Sequence, residues 1–453
     1  MLGKKQQLLI DTTQRLLRRD AQPSIRRIFD KTHPADLAAV ISHFDNGRRD
    51  VLFHLINGVE AQAEVLSEML HEDAAEFLSH MPIPDVVKLL QSMENDDAAD
   101  LLARLPEDLS KQVLAAFGRT DAEDLGDLLK YGEDTAGGIM TTDFIALHEN
   151  LTAQEAIESI RTSKDVDMAF YTYVVNDHRQ LVGVLSLRKL VIVQPSTVLK
   201  QIMEPNVVSV RLHTDQEDVA RAVARYNLLA VPVVNDNNVL EGIVTVDDVI
   251  DVIREEATED ILKMAGAGME LVETGNVAKS VKARFPWLLV SCIGELIGAA
   301  VISPFIGQLQ THHYLALFMP IIMAMGGNIG TQSATVIVRG LATGYVDPKK
   351  MLAVYWREIR VALTLGAAYG LIVGGVSFLF SGGDYVYGMS VATSMVLAMC
   401  IAVTVGTLLP IILEKLHVDP AVATGPFVTS AVDVLGLLVY FVVSTGLLTA
   451  VGG

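Results

Sequence analysis

The chain has 453 residues, 51% of them hydrophobic and 20% charged, with a mean hydropathy of +0.37. That hydropathy points to membrane spans. The formal net charge of −19 excludes a general nucleic-acid binder, because phosphates demand a basic surface. Two cysteines, Cys292 and Cys400, make neither a disulfide scaffold nor a cysteine zinc site.

Charge is spread unevenly. Of the 54 acidic residues, only Glu295, Asp347, Glu358, Asp384, Glu414, Asp419 and Asp433 follow residue 284. An acidic soluble region therefore precedes a hydrophobic one. The stretch MLGKKQQLLIDTTQRLLRRD lacks the apolar run of a signal peptide, so the soluble region is expected in the cytoplasm.

Residues 1–132 read as an all-helical domain, with apolar residues at helical spacing such as Leu37, Val40, Ile41 and Phe44. Segments beginning HPADLAAVI, EDAAEFLSHMP and DDAADLLARLP look alike. Either they are stacked helical hairpins of a small superhelix, or the likeness comes from shared Ala, Leu and Asp content.

Residues 133–260 hold a clearer repeat. VVNDHRQLVGVLSLRKLV at 174 is echoed 59 residues later by VVNDNNVLEGIVTVDDVI at 233. Upstream, Gly138-Ile139-Met140-Thr141 is echoed by Gln201-Ile202-Met203-Glu204. Each unit reads as α/β, with strands ended by Asn-Asp turns. The residues resemble a tandem pair of cystathionine-β-synthase (CBS) domains. That resemblance implies an adenine nucleotide such as ATP, with Thr245, Asp248 and Arg188 as candidate contacts. The first repeat has Ser186 and Lys189 where the second has Thr245 and Asp248, so one site is expected rather than two.

The junction VDDVIDVIREEATEDILK is the most charged stretch. On a helix Asp248, Asp251, Glu255 and Glu259 fall on one face. Such a run is a solvated face, or it binds divalent cations together with another acidic surface. Mg²⁺ takes oxygen ligands, often one or two carboxylates plus retained waters. Asp96, Asp97 and Asp100 of the helical domain are the natural counterparts. Residues 261–284 read as an amphipathic connecting helix.

Five segments are long and apolar enough to span a bilayer, near 285–307, 314–338, 361–380, 385–413 and 421–448. Lys279, Lys282 and Arg284 precede the first. The 339–360 loop carries Arg339, Lys349, Lys350, Arg357 and Arg360, and Lys415 follows the fourth span. The loops QLQTHH and SGGDY, and the tail, have neither Lys nor Arg. This alternation puts the N-terminus inside and the C-terminus outside.

Ionisable groups inside a span are costly, and they usually face protein or water. Asp433 lies mid-span with no basic residue in any predicted span, and Glu295 lies in the first. Each is a neutral carboxyl bonded to a neighbouring helix or, for Asp433, part of a cation path. Two copies about a two-fold axis would form a carboxylate ring. Gly326-Gly327-Asn328-Ile329-Gly330-Thr331-Gln332-Ser333 is too polar for a lipid face; it is helix–helix glue, a pore lining, or both. Gly366, Gly370 and Gly374 form a packing stripe, and His312 and His313 are expected in solvent. No Walker loop, nucleophile elbow or His-rich metal motif is present, so no enzyme is expected.

Taken together, the order of segments, the Gly-Gly-Asn-x-Gly-x-Gln-Ser stretch, Arg339-Gly340-Leu341-Ala342, Val418-Asp419-Pro420-Ala421 and Asp433-Val434-x-Gly436-Leu437 resemble the MgtE family of bacterial magnesium channels. The resemblance implies a multi-pass inner-membrane protein. It would be a homodimer with its pore on the two-fold axis, lined by spans two and five. Asp433 would hold a hydrated Mg²⁺, Asp419 would lie near the cytoplasmic mouth, and Asn328 and Gly327 would line the path. Asp97, Asp100, Asp248, Asp251, Glu256, Glu259 and Asp260 would bind regulatory Mg²⁺, closing the pore when cytosolic Mg²⁺ is high. Asn227 and Gly425 depart from the family pattern, in which an acidic and a polar residue are expected. The alternatives are an ion-coupled carrier titrating Glu295 or Asp433, and a membrane-tethered nucleotide sensor.

Overall fold

The computed structural model describes residues 4–118, 125–162, 171–267, 277–343, 345–346 and 351–451. The chain divides into two compact units, Met1–Arg254 and Glu255–Gly453.

The first unit begins with short helices α1 (Lys4–Leu17), α2 (Gln22–Phe29), α3 (Pro34–Ser42), α4 (Asn46–Phe53), α5 (Val59–Ser67), α6 (His71–Ser79), α7 (Ile83–Leu90), α8 (Asn95–Arg104) and α9 (Glu107–Ala116). Helix packs on next-but-one helix: α3 on α5, α5 on α7, α7 on α9, and α6 on α8. This is the superhelical stacking that the similar segments suggested, and two of those segments, α6 and α8, lie directly against each other. Side-chain caps start some of the helices; Asp45 Oδ1 accepts from Arg48 N at 3.1 Å. Ile25, Ile41, Leu52, Leu66, Leu78, Leu101 and Leu102 are almost wholly buried, each worth roughly 1.5–3 kcal/mol.

The repeat region folds into two like sheets. In the first, β1 (Ala146–His148) pairs parallel with β2 (Tyr171–Val175), which pairs antiparallel with β3 (Leu181–Ser186). The second has β4 (Val210–Arg211), β5 (Ala230–Val234) and β6 (Leu240–Thr245) in the same order and sense. Helices α10 (Ala153–Thr162), α11 (Leu187–Ile192), α12 (Leu199–Ile202) and α13 (Gln216–Tyr226) complete the pair. The Asn-Asp turns work through their side chains. Asn176 Oδ1 accepts from His178 N and Gln180 N, and Asn235 Oδ1 accepts from Asn237 N and Val239 N.

The second echoed motif joins the repeats crosswise. Thr141 and Ile243 exchange backbone hydrogen bonds of 2.8 and 3.0 Å, and Val184 and Glu204 exchange bonds of 3.0 and 2.9 Å. Each motif methionine covers a glycine of the facing sheet. A Cβ built on Gly183 would stand 2.6 Å from Met203 Sδ, and one on Gly242 would stand 2.7 Å from Met140 Sδ. The helical stack and the second repeat also share one apolar core, running from Ile10 to Val244, Val249 and Val252. They are not separate bodies.

Helix α14 (Val246–Met264) leads into the second unit. Residues 261–284, expected as one connecting helix, are divided. The helix ends at Met264, with Gly266 at φ +69° in the following turn, and the next helix starts at Val277. Residues 268–276, like Lys349 and Lys350, lie outside the described residues. Then follow α15 (Val277–Ile302), a 3₁₀ turn, α16 (Ile306–Thr311), α17 (Tyr314–Ala342), α18 (Met351–Phe380), α19 (Tyr385–Lys415) and α20 (Pro426–Val451). Five stretches, with the first comprising α15 and α16, are long and apolar enough to cross a membrane. The third helix begins about ten residues earlier than its hydropathy suggested. Glu358, Arg357 and Arg360, counted as loop residues from sequence, therefore stand within it.

Glycines set the helix spacing. A Cβ on Gly370 would stand 2.8 Å from Ala392 O, and one on Gly374 2.7 Å from Gly388 O. The stripe thus brings α18 backbone to α19 backbone, as small residues do in membranes.

Candidate ion pathway and acidic sites

Asp433 stands in α20 between two helices. The carboxyl of Glu295, in α15, comes within hydrogen-bonding reach of it. Asp433 thus has a partner in its own chain, which spacing along the sequence did not reveal. Gly294 is what admits this contact, because a Cβ there would run into Ser430 of α20. On the other side lies Gly327 of α17, where a Cβ would stand 4.0 Å from Asp433 Oδ1. Asn328 and Gln332 of the same helix are exposed, whereas Ile329, Gly330 and Ser333 are buried. The polar segment therefore has two faces. Its small face packs on Val428 and Val432, and its amide face leaves the unit. Ser333 turns inward and donates to Glu358 Oε2 at 3.2 Å. Glu358, buried, is also held by Arg357 at 3.1 Å.

In the first unit, Asp96 and Asp97 at the start of α8 meet Asp248 near the start of α14. Asp96 is buried, and its Oδ1 has no protein partner. Burial holds its carboxyl well above the usual range, and the Asp248 charge adds to the effect. Burial, then the Asp248 and Glu94 charges, push Asp97 up to about 7. Asp100 rises to about 6 through burial and the nearby Glu133. Asp248 rises to about 6, with burial outweighing the hydrogen bond from Thr245. Three carboxylates in one partly desolvated place repel, and a cation would relieve that repulsion. Among the described residues no group of three or more His, Cys, Asp or Glu is placed to hold a metal ion. A hydrated Mg²⁺, which takes one or two carboxylates and keeps its waters, asks for fewer protein ligands than such a group.

The remaining acids are placed differently from one another. Asp251 is exposed and pairs with Arg254 at 3.2 Å. Glu256 lies further along α14. Glu259 and Asp260 belong to the second unit and already have basic neighbours. Lys263 Nζ lies 2.6 Å from Glu259 and 2.7 Å from Asp419, and Arg339 lies 3.9 Å from Asp260. Burial pulls the Lys263 ammonium down, but its two carboxylate bonds outweigh this and hold its pKa above the usual lysine value. Asp419 Oδ1 also accepts from Ala421 N at 2.8 Å, capping the 3₁₀ turn Pro420–Ala423. From sequence Lys263 is only one of two bases, with Arg254, in the acidic junction. Its signal was a base one turn after Glu259.

At the candidate nucleotide position, the Thr245 hydroxyl donates to Asp248 Oδ2 at the start of α14. A carboxylate there suits the hydroxyl donors of a ribose. In the first repeat, Ser186 only caps α11, accepting from Lys189 N, and Arg188 is exposed. Asn227 and Gly425 each have a local cause. Asn227 closes α13 at φ +51°, a left-handed cap that asparagine tolerates. Gly425 leaves room for the end of α14, because a Cβ there would stand 3.0 Å from Met264 O. His313 is exposed as expected, but His312 is half-buried and bonded to Tyr387 Oη at 2.6 Å.

Family models match along the chain: the MgtE intracellular N domain at residues 32–134, the CBS domain at 136–195 and 199–255, and the MgtE divalent cation transporter at 319–443. The magnesium transporter MgtE of Thermus thermophilus is 37% identical over 443 residues, 94% of this chain and 96% of that one. The magnesium transporter MgtE of Bacillus subtilis is 39% identical over 319 residues, 70% of each chain. Among solved structures, the cytosolic domain of the Mg²⁺ channel MgtE in complex with ATP is 36% identical, with a TM-score of 0.50, covering 53% of this chain and 98% of that one. The soluble part of a magnesium transporter is 30% identical at the same TM-score, covering 56% and 99%. With helical domain, CBS pair and five apolar spans in matching order, the chain belongs to the MgtE family of divalent cation transporters.

Proposed function

We propose that this protein is a Mg²⁺-selective influx channel of the bacterial inner membrane, with its soluble domains in the cytoplasm and its C-terminus outside. In this reading it works as a homodimer, and the pore lies on the two-fold axis between copies of α17 and α20. One observation carries the reading: Asp433 sits beside Gly327 on a helix pair whose amides, Asn328 and Gln332, are exposed within a span. Polar groups on the outside of a span must meet water or protein, and a second copy supplies both. Mg²⁺ gives up its waters reluctantly, so paired Asp433 carboxylates select it as a hydrated ion. A membrane potential negative inside drives entry, by about 2.3 kcal/mol per charge per 100 mV.

Cytosolic Mg²⁺ closes the pore in the same reading. Ions at Asp96, Asp97, Asp100 and Asp248 relieve the repulsion there. Asp251, Glu256, Glu259 and Asp260 extend the acidic register along α14, one continuous helix with Asp248 near its start and Asp260 near its end. An adenine nucleotide such as ATP at Thr245 and Asp248 would tune this response.

The test is Mg²⁺ flux into liposomes carrying purified protein, wild type beside Asp433→Ala. Flux that is lost or made unselective in the variant supports the pore, and equal selective flux in both rejects it. The Glu295–Asp433 carboxyl pair favours one rival, a proton-coupled carrier. Flux that follows an imposed pH gradient rather than voltage would select the carrier.

A further inference from the structure

We propose that Lys263 is a built-in cation that latches the end of α14 onto the cytoplasmic mouth of the pore. Its ammonium stands between Glu259 and Asp419. The inference rests on the channel reading above and adds a positioning residue to it. One nitrogen lies 2.6 Å from Glu259 on its own helix and 2.7 Å from Asp419, which caps the turn leading to α20. Without it the two carboxylates face each other and repel.

Backbone shape adds to charge. Gly266 turns the chain after α14, with Ala267 N donating to Leu262 O at 2.8 Å. A Cβ on Gly266 would stand 3.2 Å from Pro426, the first residue of α20, and one on Gly425 would stand 3.0 Å from Met264 O. A side chain at either position would crowd the turn against the start of the pore helix. Asp260 and Arg339 form a second ion pair beside it, at 3.9 Å. An ammonium is present at every Mg²⁺ concentration. The latch therefore sets a basal closure on which Mg²⁺-dependent closure builds.

Two measurements on the full chain in detergent or liposomes test this. The first is hydrogen–deuterium exchange of peptides covering 255–267 without divalent ions. Lys263→Met should exchange faster than wild type, and Lys263→Arg, which keeps the charge, should not. Equal exchange in wild type and Lys263→Met overturns the latch. The second is Mg²⁺ flux against MgCl₂ on the cytoplasmic face. Lys263→Met should need roughly twofold to fivefold more Mg²⁺ for half closure, the range carried by one partly exposed ion pair. An unchanged midpoint overturns the action of the latch on the pore. If Lys263→Met does not fold, Lys263→Gln loses the charge but keeps a polar side chain, and the same shifts are expected. A wild type that carries no Mg²⁺ overturns the channel reading, and the latch is then judged on exchange alone.

Discussion

The carboxyl groups of Glu295 and Asp433 meet across the contact between α15 and α20, with Gly327 of α17 on the other side of Asp433. In the pore reading Asp433 holds the ion and Glu295 orients it. Glu295→Gln keeps a hydrogen-bond partner and should leave flux within a few-fold of wild type. Asp433→Asn should lose about tenfold or more, the effect of about 1.4 kcal/mol. Liposome flux measures both. A reversed order, with Glu295→Gln dead and Asp433→Asn active, would move the pathway to α15.

The acids of the first unit make closure sensitive to pH. Protons compete with Mg²⁺ for carboxylates, and Asp97 is pushed up to about 7 while Asp100 and Asp248 reach about 6. Lowering the cytoplasmic-side pH from 7.5 to 6 should raise the Mg²⁺ needed for half closure. An unchanged midpoint would separate these acids from the sensor.

The same shifts fix the sign of a stability effect. A carboxyl whose folded pKa lies above its unfolded value of 3.8 binds more protons when folded. Its contribution is fully present below about pH 4 and is lost as pH rises through 6 to 7. Without divalent ions, the soluble unit should therefore unfold at a lower temperature at pH 7.5 than at pH 5.5. Added Mg²⁺ should narrow the gap by binding the ionised form. Thermal scans of the full chain in detergent at both pH values check this.

Gly425→Asn would place a side chain 3.0 Å from Met264 O and 3.4 Å from Gly266 N. Backbone cannot yield there as a flexible side chain can, so overpacking of about 1–3 kcal/mol is expected. The end of α14 should lift from α20, and closure by Mg²⁺ should weaken while Asp433-dependent selectivity remains. Closure as tight as wild type would mean that this approach has no part in gating.

Gly242→Ala tests the crossed repeats. The new methyl meets Thr141 O at 2.8 Å and Met140 Sδ at 2.7 Å, so about 1–3 kcal/mol of stability should be lost. Limited proteolysis between the two repeats should become faster. Protease resistance equal to wild type would show that the Met-over-Gly contact has slack.

Much of this protein was legible without a fold. Hydropathy marked five spans. The echoed VVND and Met motifs marked the paired sheets, because strands, turns and spanning helices are coded within windows of some 5 to 20 residues. Asp433, Asp419 and the acids of α14 could also be named as candidates, since charge in a span or a run of charge shows in the chain itself.

Only the tertiary structure decided which of those groups share an environment. It put Glu295 beside Asp433. It buried Asp96 more deeply than Asp97, Asp100 or Asp248. It gave Asp419 a lysine 156 residues away, and it gave Gly425 its reason in the backbone of Met264. These relations join residues far apart in the chain through close packing of whole helices. No periodicity or local spacing encodes them, because they depend on where distant backbones come to rest.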